Sequence, residues 1–352
     1  MKIKVIKEQV RQQIGDTIKI FKDLVKSFPE NNDIIYNLSL SLGAAEKYKD
    51  AWKLFSSRFK LGMDRENFEK FSIFPKWNGK RCESIAVWQE QGVGDVIFFA
   101  SMLDDLANCV NRVSVFIDSR LIELFENSFP KIQFFDQSDV IAAGDFEAQV
   151  PMGDLPMFFR NKISDFPKSS FLTPPKEKKS EVRNLLKRKG NIICGLAWYT
   201  KASQRNDDRA IELDLLLKSF DGLDINLINL QYPVLSDKSS IVPKKLKKKV
   251  ATIPGIDLMD DFAGMASLIN ECDLVVTIDS VIAHLASAIG KKTIVLLPSA
   301  PPNYRWTAEK PHTPWYPDTT LLLRKARVGD WSNVLNDLTD ELKKICEKVI
   351  KR

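Results

Sequence analysis

Apolar residues recur at helical spacing from the start of the chain. Ile14, Ile18, Phe21, Leu24 and Val25 fall on one face of a helix predicted from roughly Val5 to Ser27. Pro29 and the Asn31-Asn32 pair end it. The pattern predicts a second helix from about Asp33 to Leu42 and a third from Lys49 to Leu61. At Trp77-Asn78-Gly79 the character changes. The unbroken apolar run Ile85-Ala86-Val87-Trp88 reads as a buried strand, and an amphipathic helix follows from Val96 to about Cys109. Arg112 to Ile117 is then predicted as a strand, Leu121 to Asn127 as a helix and Ile132 to Phe135 as a strand. Phe166 to Lys179, rich in Pro, Ser and Lys, reads as an inter-domain linker. A second alternating block places strands at Ile192 to Trp198, Ile225 to Leu230, Leu274 to Ile278 and Thr293 to Leu297. Helices are predicted at Phe262 to Asn270 and Val281 to Ile289, and a last one from about Trp331 to Lys351.

Strands and helices alternating through short links make parallel sheets. The pattern therefore predicts an α/β chain with two doubly wound, Rossmann-like domains, at 76–175 and 176–330. A helical segment at 1–75 precedes them and a C-terminal helix at 331–352 follows. Ligands of such sheets bind outside the carboxyl ends of the strands, and two such edges facing each other would make a cleft. The helical segment carries a weak repeat. Thr17 and Phe21 have counterparts 34 residues later in Ala51 and Phe55, the tetratricopeptide period. Pro29 has only Met63 opposite it. Leu38, Leu42, Tyr48, Ala51 and Phe55 occupy the apolar and small positions of that pattern. The segment resembles about one and a half tetratricopeptide units, with an unrelated helical hairpin as the alternative. So few units cannot cover their own apolar faces. The segment is therefore expected to pack on the domain that follows, with Phe55, Phe59, Phe68, Phe71 and Phe74 as contact area.

Composition narrows the classes. Of 352 residues 44% are hydrophobic and 28% charged, ordinary for a globular chain and unlike a disordered one. The net charge of +6 suits an anionic ligand but is too small to argue for a nucleic-acid coat. The lysine tract Lys244, Lys245, Lys247, Lys248, Lys249 reads first as a solvated loop, with a membrane-surface or acidic-partner contact as the alternative. Five scattered cysteines, no CxxC pair and only two histidines leave no structural zinc pattern. Free thiols fit a reducing cytoplasm. No apolar run has signal-peptide or membrane-span character, so the expectation is a cytoplasmic, soluble protein.

Three constellations carry chemistry. The first is Glu90-Gln91-Gly92-Val93-Gly94-Asp95, between a strand and a helix. Glycines there let a ligand approach the backbone, and Asp95 either caps the helix or performs chemistry. It is neither GxGxxG nor a P-loop. The second is Thr277 to Ala286. Asp279 and Ser280 end a strand, and Ser280 opens a helix whose first-turn amides can receive a phosphate. His284 lies four residues on, on the same face, as ligand contact or as a packed core residue. The third is Trp198 to Lys201 followed by Gln204 to Arg209. Its arginines either pair with a diphosphate or decorate a surface loop.

Together these residues carry a resemblance. EQGVGDVIFFASML, GLAWYTKASQRNDDRAIEL, DLVVTIDSVIAHLASAIGKKTIVLLP and RWTAEKPHTPWYPDTTLLLRKARVGDW resemble, in order, segments of bacterial tetratricopeptide-repeat glycosyltransferases. Those are relatives of the ADP-heptose:lipopolysaccharide heptosyltransferases. Ser280 stands where that family carries Thr, Ser101 where it carries Arg, and Ser287 where it carries Gly. The resemblance implies a GT-B fold with the donor in the C-terminal domain and the acceptor toward the N-terminal one. It implies an inverting transfer from a nucleotide-diphosphate sugar to an acceptor hydroxyl, without metal or other cofactor. It makes Asp95 the general base, with Glu90 the next candidate, and places Gly92 and Gly94 on the acceptor side. Donor contacts would come from Arg205, Arg209, Gln231, Asp279, Ser280, Val281, Ile282 and His284. Arg305, Trp306, Trp315 and Tyr316 either wall the donor pocket or serve packing. The acceptor class stays open among glycan, lipid-linked glycan and protein, and the helical segment could receive a protein partner. Competing readings are a non-catalytic repeat scaffold with a decayed transferase body, and a sugar-nucleotide epimerase of the same fold.

Overall fold

A computed structural model describes residues 2–186, 192–200, 209–233, 240–299, 303–307, 310–316 and 319–350, with side-chain environments from residue 12 to 348. The chain forms two compact units. The first joins Met1–Lys168 to Pro301–Pro317, and the second joins Ser169–Ala300 to Asp318–Arg352.

The first unit is built on four parallel strands, β1 (Cys82–Trp88), β2 (Val110–Ile117), β3 (Gln133–Asp136) and β4 (Ala148–Pro151), in the order β3-β2-β1-β4. The first three are the expected strands with shifted ends. β4 was not expected, because four residues, one of them polar and the last proline, carry no periodicity of their own. Pairing with β1, from Ile85 opposite Ala148 to Trp88 opposite Pro151, creates it. The second unit holds β5 (Ile192–Ala197), β6 (Ile225–Asn229), β7 (Val250–Ala251), β8 (Leu274–Ile278), β9 (Thr293–Leu297) and β10 (Thr320–Arg324). Their order is β10-β9-β8-β5-β6-β7, again all parallel. This is the six-strand order of a Rossmann sheet, and the first unit repeats its first four positions. Each sheet reverses its winding once, between β1 and β4 and between β5 and β8. Those are the places where carboxyl-end loops separate and leave room for a ligand.

The N-terminal segment forms α1 (Lys2–Ser27), α2 (Asn32–Ala44), α3 (Tyr48–Phe55), α4 (Ser57–Lys60) and α5 (Arg65–Phe71). Asn31 caps α2, its side chain accepting from the Ile34 amide. Ile18, Leu38, Leu42 and Ala51 join the first three helices in a small apolar cluster. The single helix expected over Lys49 to Leu61 is interrupted at Ser56, whose hydroxyl bonds Asp154 across the unit. As expected, the segment packs on the sheet. Phe71 and Phe74 lie against Ala86, Trp88, Phe116 and Phe146, with Phe59 beside them. Phe71 stacks on Trp88 at 5.8 Å between ring centroids. Phe68 instead stays largely exposed, stacked on Phe59.

Residues 301–317, expected in the second domain, belong to the first unit. The cause is aromatic burial. Trp315 meets Phe98 at 3.9 Å and Phe166 at 4.6 Å, while Tyr304 packs edge-on against Trp52 and Phe55. The unit boundary falls earlier than the expected linker's end. The amides of Phe171 and Leu172 already donate to Ala288 O of the second unit, and a helix begins at Lys176. The closing helix, Ser332–Ile350, is no separate piece. Val334, Leu338 and Leu342 are fully buried in the second unit's core with Leu196, Leu274 and Leu296. In the lysine tract, Lys245 pairs with Asp214 at 2.6 Å and Lys249 with Asp221 at 3.8 Å, on an exposed turn. Among the described residues no helix is long and apolar enough to cross a membrane.

Candidate active-site residues

In the first unit, Gln89-Glu90-Gln91 leaves β1 at the winding reversal and enters the short helix Val93–Phe99 through Gly92. Gln91 has φ +62°, a left-handed conformation unusual for a residue with a side chain. Asp95 does two things at once. Its Oδ2 accepts from the Gly92 amide at 3.3 Å, closing the helix start, and its Oδ1 is ion-paired with Arg305 Nη2. Arg305 also donates to Gln91 Oε1 at 3.1 Å and lies 4.5 Å from the centre of the Tyr304 ring. The Asp95 side chain is 18% exposed, so it remains reachable, and a carboxylate retains lone pairs beyond these two bonds. Gly92 is the N-cap of this helix and Gly94 lies in its first turn. Gln91 Nε2 and Tyr304 Oη are buried with no hydrogen-bond partner among the described residues.

Glu90 takes a different role from the one expected of a substitute base. It is 1% exposed. Arg58 Nε and Nη2 donate to its two oxygens at 2.5 and 2.6 Å, and the Gly153 amide donates to Oε1 at 2.7 Å. Arg58 is itself fully buried, sandwiched between the Phe55 and Phe59 rings, and reaches Asp154 Oδ1 at 2.8 Å. Lys76 closes the network on Asp154 Oδ2 at 2.6 Å. Gly153 permits the approach, since a Cβ there would sit 2.3 Å from Glu90 Oε1. One guanidinium thus serves two carboxylates. Burial works against the Arg58 charge, but Glu90 and Asp154 together raise its pKa above the ordinary value. Burial likewise raises Asp154, yet Arg58 and Lys76 outweigh it and hold that carboxyl below its usual range. Glu90 lacks the lysine, and burial leaves its carboxyl above the usual range despite Arg58. Both oxygens of Glu90 accept hydrogen bonds, and its side chain is fully buried.

In the second unit, β8 ends at Ile278 and Asp279-Ser280 leads into the helix Val281–Ile289. Ser280 is the N-cap, but its hydroxyl pairs with Thr277 Oγ1 at 3.1 Å and does not close over the first-turn amides of Val281 and Ile282. Unpaired amides at a helix start, with the helix dipole, are the kind of feature that can receive an anion. Asp279 meets Arg209 Nη1 at 3.6 Å, and both side chains are about one-fifth exposed. Arg324, half-buried at the end of β10, also acts on Asp279: burial pulls its guanidinium downward while the aspartate opposes, and the guanidinium keeps its charge through the neutral range. His284 is buried on the same helix. Gln231, expected to touch the donor, is instead 1% exposed and braces the backbone after β5. Its Oε1 accepts from the amides of Trp198 and Tyr199 at 3.1 and 2.8 Å, and its Nε2 donates to Tyr232 O. Arg205 lies outside the described residues.

The structure therefore brings Asp279, Ser280, Val281, Ile282 and Arg209 to one strand end, and Asp95, Gly92 and Gly94 to another. Sequence reasoning missed Arg58 and Arg324, and for Arg305, read as donor-pocket wall or packing, it did not anticipate the pairing with Asp95. Arg324 was legible as a cation directly after an apolar run. Arg58 and Arg305 had no local signal, because their partners lie 32 and 210 residues away. Trp306, Trp315 and Tyr316 are buried within the first unit.

Residues 258–323 match the sequence family described as glycosyltransferase family 9 (heptosyltransferase). Protein FlbA of Caulobacter vibrioides is 24% identical over 319 residues, covering 84% of this chain and 52% of FlbA, so the chain spans about half the length of that relative. Two solved structures share the fold. The glycosyl transferase family 9 protein of Veillonella parvula superposes with a TM-score of 0.52 at 13% identity, over 78% of this chain and 98% of its own. The ADP-heptose lps heptosyltransferase II of E. coli gives 0.50 at 12% identity, over 75% of this chain and 99% of its own. Residues 258–323 are thus similar to the glycosyltransferase family 9 sequence pattern, and the α/β fold is similar to that of those two proteins.

Proposed function

We propose that the protein transfers a sugar from a nucleotide-diphosphate sugar to an acceptor hydroxyl, with Asp95 as general base. The observation that carries this reading is the coincidence at the end of β8. The family-matched segment contains the helix start at Ser280, whose first-turn amides its own side chain leaves uncovered; Arg209 meets Asp279 beside it, and the charge of Asp279 also acts on Arg324. Two guanidiniums and a helix N-terminus suit a diphosphate. They supply charge where a departing nucleoside diphosphate develops it, which is the place where electrostatic stabilisation lowers a barrier. A sugar acceptor is a poor nucleophile at neutral pH and needs a base. Asp95 is a reachable carboxylate held by Arg305 and the Gly92 amide, and the burial of Glu90 favours Asp95 over it. Removal of the hydroxyl proton by Asp95, attack on the anomeric carbon and departure of the diphosphate in one step would invert the configuration. The cationic groups make a metal unnecessary in this scheme, so activity is expected to survive EDTA. The N-terminal helices, read as repeat-like, fit acceptor selection, with glycan, lipid-linked glycan and protein as the classes to compare.

The test is turnover with ADP-, UDP-, GDP- and CMP-sugars. Asp95→Asn should keep nucleotide binding and the fold while lowering turnover by roughly 10²–10⁴-fold. Near-normal turnover in that variant removes Asp95 from the role.

A further inference from the structure

We propose that the N-terminal helical segment is a clamp on the catalytic turn, with Arg58, Asp64 and Asn67 as positioning residues for Asp95. The proposal rests on the reading of Asp95 as base. Three consecutive residues of the turn are each gripped by a different residue of this segment. Asn67 Nδ2 donates to Gln89 O at 3.2 Å. Arg58 holds the Glu90 carboxylate through two hydrogen bonds. Asp64 Oδ1 accepts from the Gln91 amide at 2.9 Å. The grip falls where the backbone is least able to hold itself. Gln91 has φ +62° and Asp64 φ +50°, two of three such non-glycine residues among those described. A left-handed residue with a side chain persists only where its surroundings over-determine it. The two strained residues are joined directly by the Asp64–Gln91 hydrogen bond. Gln91 is followed at once by Gly92, the N-cap of the helix that carries Asp95. Relaxing Gln91 toward an ordinary conformation would redirect the chain into that cap and displace the Asp95 carboxylate. The helical segment thereby sets the geometry of the base, in addition to covering the apolar face of the sheet.

The experiment uses the full chain and compares Asp64→Gly, Asp64→Asn and Asp95→Asn. Glycine accommodates the left-handed backbone at 64 and removes only the acceptor. Asparagine accommodates it and keeps the acceptor. Turnover is measured with the ADP-, UDP-, GDP- and CMP-sugar panel, together with thermal stability and amide hydrogen exchange of residues 89–99. Asp64→Gly should lower kcat about 10- to 100-fold, the scale of a displacement near 1 Å, with KM and melting temperature little changed and exchange across 89–95 accelerated. Asp64→Asn should restore kcat and protection. A kcat near wild type in Asp64→Gly beside an inactive Asp95→Asn overturns the clamp and leaves the base reading standing. Loss of kcat that asparagine does not restore, or that follows a fall in melting temperature, assigns Asp64 to the fold alone and also overturns it. Turnover retained in both Asp64→Gly and Asp95→Asn removes the base and the clamp with it.

Discussion

Arg58 shows how much one side chain decides. It is fully buried and neutralises two carboxylates that strand winding brings together at the ends of β1 and β4. Buried ion networks are weak evidence of net stability, but removing one member leaves uncompensated charge in a dry site. Arg58→Met should therefore cost about 3–5 kcal/mol in a urea titration, and a change below about 1 kcal/mol would contradict the network as described. The two carboxylates impose opposite pH dependences. Asp154 is held below its ordinary value of 3.8, so its contribution is present above that pH and lost as pH falls through its lowered value. Glu90 is raised above 4.5, so its contribution is full below 4.5 and declines as pH rises through its raised value. Glu90→Gln should accordingly flatten the decline in stability from pH 4.5 toward neutrality. Denaturation curves at several pH values decide it, and wild-type and variant profiles that run parallel would refute the assignment. At the proposed donor site the same reasoning applies to ligand charge. Arg209→Ala should weaken nucleoside-diphosphate binding by about 1.5–3 kcal/mol, the worth of a hydrogen bond to a charged group. Unchanged affinity by calorimetry would return Arg209 to its structural pairing with Asp279.

At the scale of elements, α2 and the 301–317 segment meet with no space to spare. A Cβ built on Gly43 would lie 2.7 Å from Tyr304 Cβ. Alanine is the better helix former by about 1 kcal/mol, so propensity alone predicts that Gly43→Ala stabilises α2. The close approach predicts the opposite, a loss of about 1–3 kcal/mol from overpacking. Gly15 in α1 is the control, since a Cβ there meets nothing within 4 Å, and Gly15→Ala should stabilise by about 0.5–1 kcal/mol. Thermal melts of the two variants should move in opposite directions. Movement in the same direction would show that helix propensity outweighs the contact.

For the whole molecule, the distinction between a helical appendage and a Rossmann-like body dissolves. α3 lays Trp52 and Phe55 against Tyr304, α4 supplies Arg58 to Glu90, and the α5 region covers Trp88 and Phe116. A chain beginning at Lys76 would expose that aromatic surface and strand two buried carboxylates near a single lysine. It should aggregate or lose cooperative unfolding. A soluble Lys76 chain with a sharp thermal transition would contradict this account.

The sequence by itself determined the alternation of strands and helices, the two sheets, and the placement of Asp95, Asp279 and Ser280 at strand–helix junctions. Periodicity and turn residues are local properties, and β8, β9 and the helix Val281–Ile289 lie at the residues their patterns predict. The short strands β4, β7 and β10 were not legible, because a strand of a few residues exists only through its partner. Only tertiary structure decided that Glu90 is sealed by Arg58, that Gln231 braces a loop, and that Arg305 faces Asp95 across 210 residues of chain. Charge pairing and burial depend on which distant groups the fold desolvates together, and no local pattern encodes that.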